Sequence, residues 1–228
     1  MIKINIIKIV NFINVFFFYK YKLAHLIGVP KREINFLYNE INTSDFLKEI
    51  KRKTKKIRGW YYLSMLSPFR APLLYVICRI LKPEVVIETG VADGYSSSFI
   101  LYALEKNMKG YLYSIDLPNQ PGHELKEGKT AGWLVPKNLK KRWTLIFGSS
   151  KEKLPELLIN LNKIDIFYHD SDHSYEHMMF EFNTIWKYLK PKGYLLADDI
   201  TENIAFKEFV EEKKCKYIKL FKLGIAIK

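Results

Sequence analysis

From residue 83 onward, short β-branched runs that stop at a glycine or an acid alternate with stretches that space their apolar residues as a helix does. The runs are "EVVIETG", "GYLYSID", "WTLIFGSS", "KIDIFYHD" and "PKGYLLADD". Between them, "GYSSSFILYALEKN" places Phe99, Ile100, Ala103 and Leu104 on one helical stripe, and "EKLPELLINLN" reads as a second helix. "SYEHMMFEFNTIWKYL" carries Met178, Met179, Phe182, Ile185, Trp186 and Leu189 on a third. Continuous apolar strands separated by helices predict a parallel sheet covered on both faces, the doubly wound α/β class. The last segment, "CKYIKLFKLGIAIK", predicts two strands around Gly224, a hairpin at a sheet edge.

The alternation leaves the first part of the chain unexplained. Residues 1 to 82 hold 16 Lys or Arg against 4 acids, whereas residues 83 to 228 hold 21 against 20. A basic extension over residues 1–59 and a nearly neutral α/β domain over 60–228 are expected, with different tasks. The densest run, "KEIKRKTKKIR", reads as a solvated helix face, or as a contact for an anionic membrane surface, nucleic acid or an acidic substrate. The opening "INIIKIVNFINVFFFYKYK" is apolar nearly all round, which calls for burial against the body, a second subunit in a homo-oligomer, or lipid. Its polar interruptions argue against a spanning helix, which needs roughly 20 apolar residues. No small-residue cleavage site follows it, which argues against a secretory signal. Cys78 and Cys215 lack CxxC spacing, so no disulfide framework or cysteine zinc site is expected. A cytoplasmic setting, with a peripheral position at the inner membrane surface as the further option, fits these features.

In doubly wound sheets, ligands bind beyond the carboxyl ends of the strands. The polar residues collect there: Glu88 on the first strand, Asp116 on the second, Gly148 and Ser149 on the third, Asp170 on the fourth, and Asp198 with Asp199 on the fifth. The loop "ETGVADGYS" has Gly90 and Gly94 in GxxxG spacing; a dinucleotide fingerprint needs GxGxxG, and Ala92 and Tyr95 stand at its other glycine positions. The loop suits a smaller ligand whose carboxylate meets helix amides and whose ammonium meets Glu88. Asp116 is placed to accept the hydroxyls of a ribose. These features describe S-adenosylmethionine better than NAD.

The blocks "VIETGVADGYSSSFIL", "LYSIDLPN", "GWLVPKNLKKRWTLIFGSS", "IDIFYHDSDHSYEHMMFEF" and "LLADDITENIAF" resemble class I S-adenosylmethionine-dependent methyltransferases. Within that class they resemble the small-molecule and sugar O-methyltransferases related to macrocin O-methyltransferase. "ETGVADGYS" is also similar to the corresponding stretch of catechol O-methyltransferase. The likeness spans about residues 60 to 228 and implies a seven-stranded Rossmann-like sheet with an antiparallel last strand. It implies that Glu88, Gly90 and Ser96 meet the methionine part of the cofactor, Asp116 the ribose, and Ser149 or Ser150 the adenine, with Gly94 also in the cofactor-binding loop. It further implies Mg²⁺ or another hard divalent cation on Asp170, Asp198 and Asp199, and His173 as the base that takes the acceptor's proton. Adjacent strand residues point to opposite faces, so the two last carboxylates reach one ion only if the turn begins at Asp199.

Other residues of "HDSDHSYEH" admit structural roles. Asp172 reads as a cap for the helix near Tyr175, and His177 as a surface or supporting residue on that helix. His169 reads equally as a core histidine or an adenosine contact. A zinc site on His169, His173 and His177 is disfavoured, because His169 belongs to the strand and the three do not share a helical face. A nucleic-acid methyltransferase or binding module using the basic region is the rival reading. The acceptor is expected to be a small molecule or glycan, a lipid-linked glycan included. His123, Trp133 and Lys137 in the loop 117–142 are candidate contacts for it or exposed loop residues.

Overall fold

The computed structural model describes residues 18–54, 70–117, 125 and 128–228. The apolar opening up to residue 17, the boundary expected at 59 and 60, and His123 lie outside the described residues. Seven strands form one sheet: β1 (Val85–Thr89), β2 (Tyr111–Asp116), β3 (Trp143–Phe147), β4 (Ile164–His169), β5 (Leu189–Ala197), β6 (Lys216–Leu220) and β7 (Leu223–Ile227). Among the described residues, 18–27 are helical, and the α-helices that follow are α1 (Lys31–Thr43), α2 (Asp45–Thr54), α3 (Ala71–Leu81), α4 (Tyr95–Lys106), α5 (Ser150–Leu161), α6 (Tyr175–Tyr188) and α7 (Ala205–Lys213).

The sheet order is β3-β2-β1-β4-β5-β7-β6. Strands β1 to β5 run parallel, and β7 is antiparallel to both β5 and β6. This is the doubly wound, seven-stranded architecture with an antiparallel last strand that the alternation and the resemblance led us to expect. The edge hairpin differs in detail. Its turn is at Phe221 and Lys222, while Gly224 lies inside β7, opposite Ala197 and Lys219. A Cβ on Gly224 would lie 2.5 Å from the Phe206 ring, so this glycine admits a close packing contact rather than a turn.

The period of two along the strands divides the interior into two layers. Val86, Leu112, Tyr168, Leu196 and Ile225 face a core shared with α3 and α4. Ile87, Ile115, Phe167, Leu195 and Ala226 face the other core, under α5, α6 and α7. The first core continues into the N-terminal helices, where Leu23, Ile34, Ile41, Phe46 and Ile50 are buried. Phe46 stacks on Tyr102 with ring centroids 4.2 Å apart, and Glu40 accepts hydrogen bonds from Arg79 and Tyr75. Because Phe46, Leu47 and Ile50 turn inward, the same helix presents Lys48, Lys51 and Arg52 outward. Among the described residues, no helix is long and apolar enough to cross a membrane.

Candidate active site

Successive connections leave β1 toward β2 on one side and reach β4 on the other, so the crevice of the fold opens at the carboxyl ends of β1 and β4. Gly90 closes β1 with φ +83°, and a Cβ there would lie 1.9 Å from the Asp170 carbonyl oxygen. Only glycine allows the two strand ends to approach in this way. The Asp170 amide donates to Thr89 at 2.8 Å and the Gly90 amide to Ile115 at 2.9 Å, which ties β4 and β2 to the loop. Gly94, directly before α4, has no side chain to cap the helix, so the first-turn amides are left for an anion or water.

Asp116 anchors the same loop. Its Oδ1 accepts from the Val91 amide at 2.9 Å and the Ala92 amide at 3.5 Å, while its buried Oδ2 has no hydrogen-bond partner. Burial raises its pKa from the ordinary aspartate value, against the pull of the two amides. A buried acceptor without a donor is costly unless a ligand supplies one.

Glu88 is fully buried and accepts from Ser96 at 2.6 Å, Ser97 at 2.5 Å and Ser114 at 2.7 Å. The hydroxyls do not offset desolvation, and its pKa is pushed up to about 7. Ser96, expected on the cofactor, thus bonds Glu88. Ser149 caps α5 by accepting from the Lys151 amide at 3.2 Å, and Ser150 Oγ lies 2.9 Å from His177 Nε2. Trp133 donates to Asp93 and, with the Gly132 and Leu134 amides on Ala92 and Asp93, covers the glycine loop. Lys137 is exposed at the start of a 3₁₀ turn.

The acidic end of β4 and β5 departs from the metal site expected there. The strand ends at Ala197 and Asp199 adopts φ +48°, so the turn does bring both carboxylates to one cation. That cation is Arg70, whose Nη2 donates to Asp198 and, at 3.3 Å, to Asp199. Lys222 Nζ pairs with Asp199 at 2.7 Å. Asp170 accepts from the Tyr168 hydroxyl at 3.1 Å; burial and Asp198 raise its pKa well above the usual range, and Arg70 opposes them. Among the described residues, no group of three or more His, Cys, Asp or Glu is placed to hold a metal ion. The residues present therefore do not fit a divalent cation on Asp170, Asp198 and Asp199, because a guanidinium already neutralises the pair.

His173 Nε2 is buried without a hydrogen-bond partner, 3.9 Å from Asp170 Oδ1. Burial and the neighbouring His169 lower its pKa, which keeps the ring neutral at pH 7. Asp172 accepts from the Ser174 amide at 2.8 Å in the turn ahead of α6, but the residue at the helix N-cap is Ser174, so Asp172 is not the cap expected of it. His169 and His177 do not converge on a metal. Both donate to Glu181, at 2.7 and 2.9 Å, and Thr89 and Ser171 add hydroxyls at 2.7 and 3.1 Å. His177 is buried, which removes its surface reading. Burial pushes Glu181 up, but the two imidazoles outweigh it and hold its carboxyl well below the usual range.

Sequence reasoning missed Glu181 and Arg70. Glu181 left one signal, an acid on the buried stripe of α6 four residues after His177; Arg70, in "SPFRAPLL", left none.

A family profile described as "Methyltransferase domain" matches residues 87–200. No curated protein matches the chain. Among solved structures, the SAH-bound methyltransferase PaMTH1 of Podospora anserina is 16% identical, with a TM-score of 0.59 over 81% of this chain and 88% of that one. An O-methyltransferase from Bacillus cereus in complex with SAH is 14% identical, with a TM-score of 0.57 over 82% and 92%. CalS11, a calicheamicin methyltransferase, is 17% identical, with a TM-score of 0.53 over 86% and 91%. At such identities these likenesses establish the fold.

Proposed function

The chain belongs to the methyltransferase domain family, and from that premise we propose that it is an S-adenosylmethionine-dependent O-methyltransferase acting on a hydroxyl of a small molecule or sugar. The observation that carries the cofactor assignment is Asp116: one oxygen holds the glycine loop, and the other is buried and unpartnered where a ribose hydroxyl would donate. The Gly90 cradle and the uncapped amides of α4 suit the remainder of such a ligand. The SAH-bound methyltransferases of the same fold support this reading. When bound, S-adenosylmethionine supplies an electrophilic methyl group and keeps the electron pair of the carbon–sulfur bond on sulfur.

The chain's own residues would then act on the acceptor. Asp116 and the β1–α4 loop hold the cofactor, and Glu88 braces the helix start through Ser96 and Ser97. His173 Nε2, neutral and unpartnered, takes the proton from the acceptor hydroxyl as its oxygen bonds to the methyl carbon.

Calorimetric titration with S-adenosylmethionine tests the assignment. Wild type is expected to bind saturably and Asp116→Asn at least about tenfold more weakly, the scale of one lost charged hydrogen bond. Absence of binding by wild type would leave only a shared fold, and equal binding by the variant would remove Asp116 from the site. Binding would then justify screening sugars and catechols by mass spectrometry for transfer of one methyl group.

A further inference from the structure

We propose that Arg70 is the built-in cation of the acceptor end of this site and stands where a divalent metal would otherwise sit. Three carboxylates, Asp170, Asp198 and Asp199, gather at the ends of β4 and β5, and such a group needs positive charge. Asp198 is 2% exposed, so solvent cannot screen it, and its closest cation is the Arg70 guanidinium. The same nitrogen reaches Asp199, and Lys222 completes the neutralisation from the β6–β7 turn.

Arg70 is joined to the start of α3 by its backbone. It stands directly before α3, its carbonyl accepts the Leu73 and Leu74 amides at 2.9 and 3.2 Å, and Pro72 follows in the first turn. The neighbouring carboxylates, Asp198 foremost, outweigh burial and raise the Arg70 pKa, so its charge is permanent. A guanidinium at ion-pair distance repels a dication, and it occupies the carboxylate oxygens that the ion would need as ligands.

The two cations differ in chemistry. A metal ion can bind a hydroxyl oxygen and acidify it; a guanidinium only donates hydrogen bonds. Given the methyl-transfer reading, on which this consequence rests, loss of the acceptor's proton falls to a side-chain base, His173, rather than to a metal. Arg70 is a positioning residue that holds the β5 end and the charge of the crevice.

Mn²⁺ binding, followed by the loss of the free-ion signal in electron paramagnetic resonance, tests the proposal without any acceptor. Wild type is expected to leave the signal unchanged. Arg70→Ala should open the carboxylates to the ion, with roughly tenfold or more gain in affinity, and adding Asp198→Asn should abolish the gain. Arg70→Lys should behave as wild type. Wild-type binding that Asp198→Asn abolishes would overturn the proposal, as would an Arg70→Ala protein that melts cooperatively and binds no Mn²⁺. If Arg70→Ala does not fold, Arg70→Gln carries the same comparison. A parallel titration with S-adenosylmethionine reports separately on the methyltransferase reading.

Discussion

Glu88 and Glu181 are both 0% exposed, both sit beside the carboxyl ends of the parallel strands, and both are ringed by donors, yet they are driven in opposite directions. Glu88 has three serine hydroxyls and is pushed up to about 7, whereas Glu181 has two imidazoles besides two hydroxyls and is held well below the usual range. Hydroxyls share a proton without carrying charge, so they only partly replace lost water. Imidazoles can take the proton outright, so a carboxylate between two of them stays ionised even in the core. The first glutamate is therefore poised near neutrality at the glycine loop, while the second clamps β1, β4, α5 and α6 together through Thr89, His169, Ser150 and His177.

The largest expected effect that would break this comparison is Glu181→Ala. It strands two buried imidazoles and two hydroxyls, and should cost about 3–5 kcal/mol of stability in urea unfolding at pH 7. A loss below about 1 kcal/mol would mean that the cluster repacks without its anion. In wild type, the Glu181 contribution should be present at neutral pH and fade as pH falls below the ordinary carboxylate range, because its native pKa is depressed.

Glu88 should show the opposite sign. Its native pKa lies near 7 against an ordinary value of 4.5, so the folded chain holds the proton that the unfolded chain has released in between. Its contribution is fully present below about 4.5 and is lost as pH rises through 7, by up to about 3 kcal/mol. Urea midpoints at pH 5 and pH 8 should therefore lie closer together in Glu88→Gln than in wild type. An unchanged difference would show that the hydroxyls do satisfy Glu88.

The smallest effects sharpen the contrast. Ser97→Ala and Ser150→Ala each remove one buried hydroxyl and should cost about 1 kcal/mol. Only Ser97→Ala should shift the Glu88 titration further upward, read from the pH dependence of stability. Ser150→Ala touches Glu181 only through His177 and should leave that profile in place.

Much of the fold was legible because its signals are local. Apolar runs of strand length, helical stripes and the glycine loop lie within contiguous residues, and β1 to β4 fall where the runs predicted them. Strand β5 begins earlier, at Leu189, a residue read as part of the helical stripe. The placement of Asp116 and Glu88 at strand ends followed from the same pattern. The turn at Phe221 and Lys222 was missed because Gly224, which looks like a turn residue, is required by the Phe206 ring of a different element. The acidic pair was visible, but its counter-charge was not: Arg70 and Asp198 stand 128 residues apart. His177 read as a surface or supporting residue, because its neighbours in sequence do not reveal that Ser150 and Glu181 enclose it.

By itself the sequence determined the order of strands and helices, the loop after β1 that only glycine can make, and the set of acids gathered at one end of the sheet. The tertiary structure decided what each acid does. Asp116 keeps a free oxygen, Glu181 is saturated by histidines, and Asp198 is bound by an arginine. Backbone conformation follows from neighbours along the chain, but the state of a buried charge follows from what lies within a few ångströms in space.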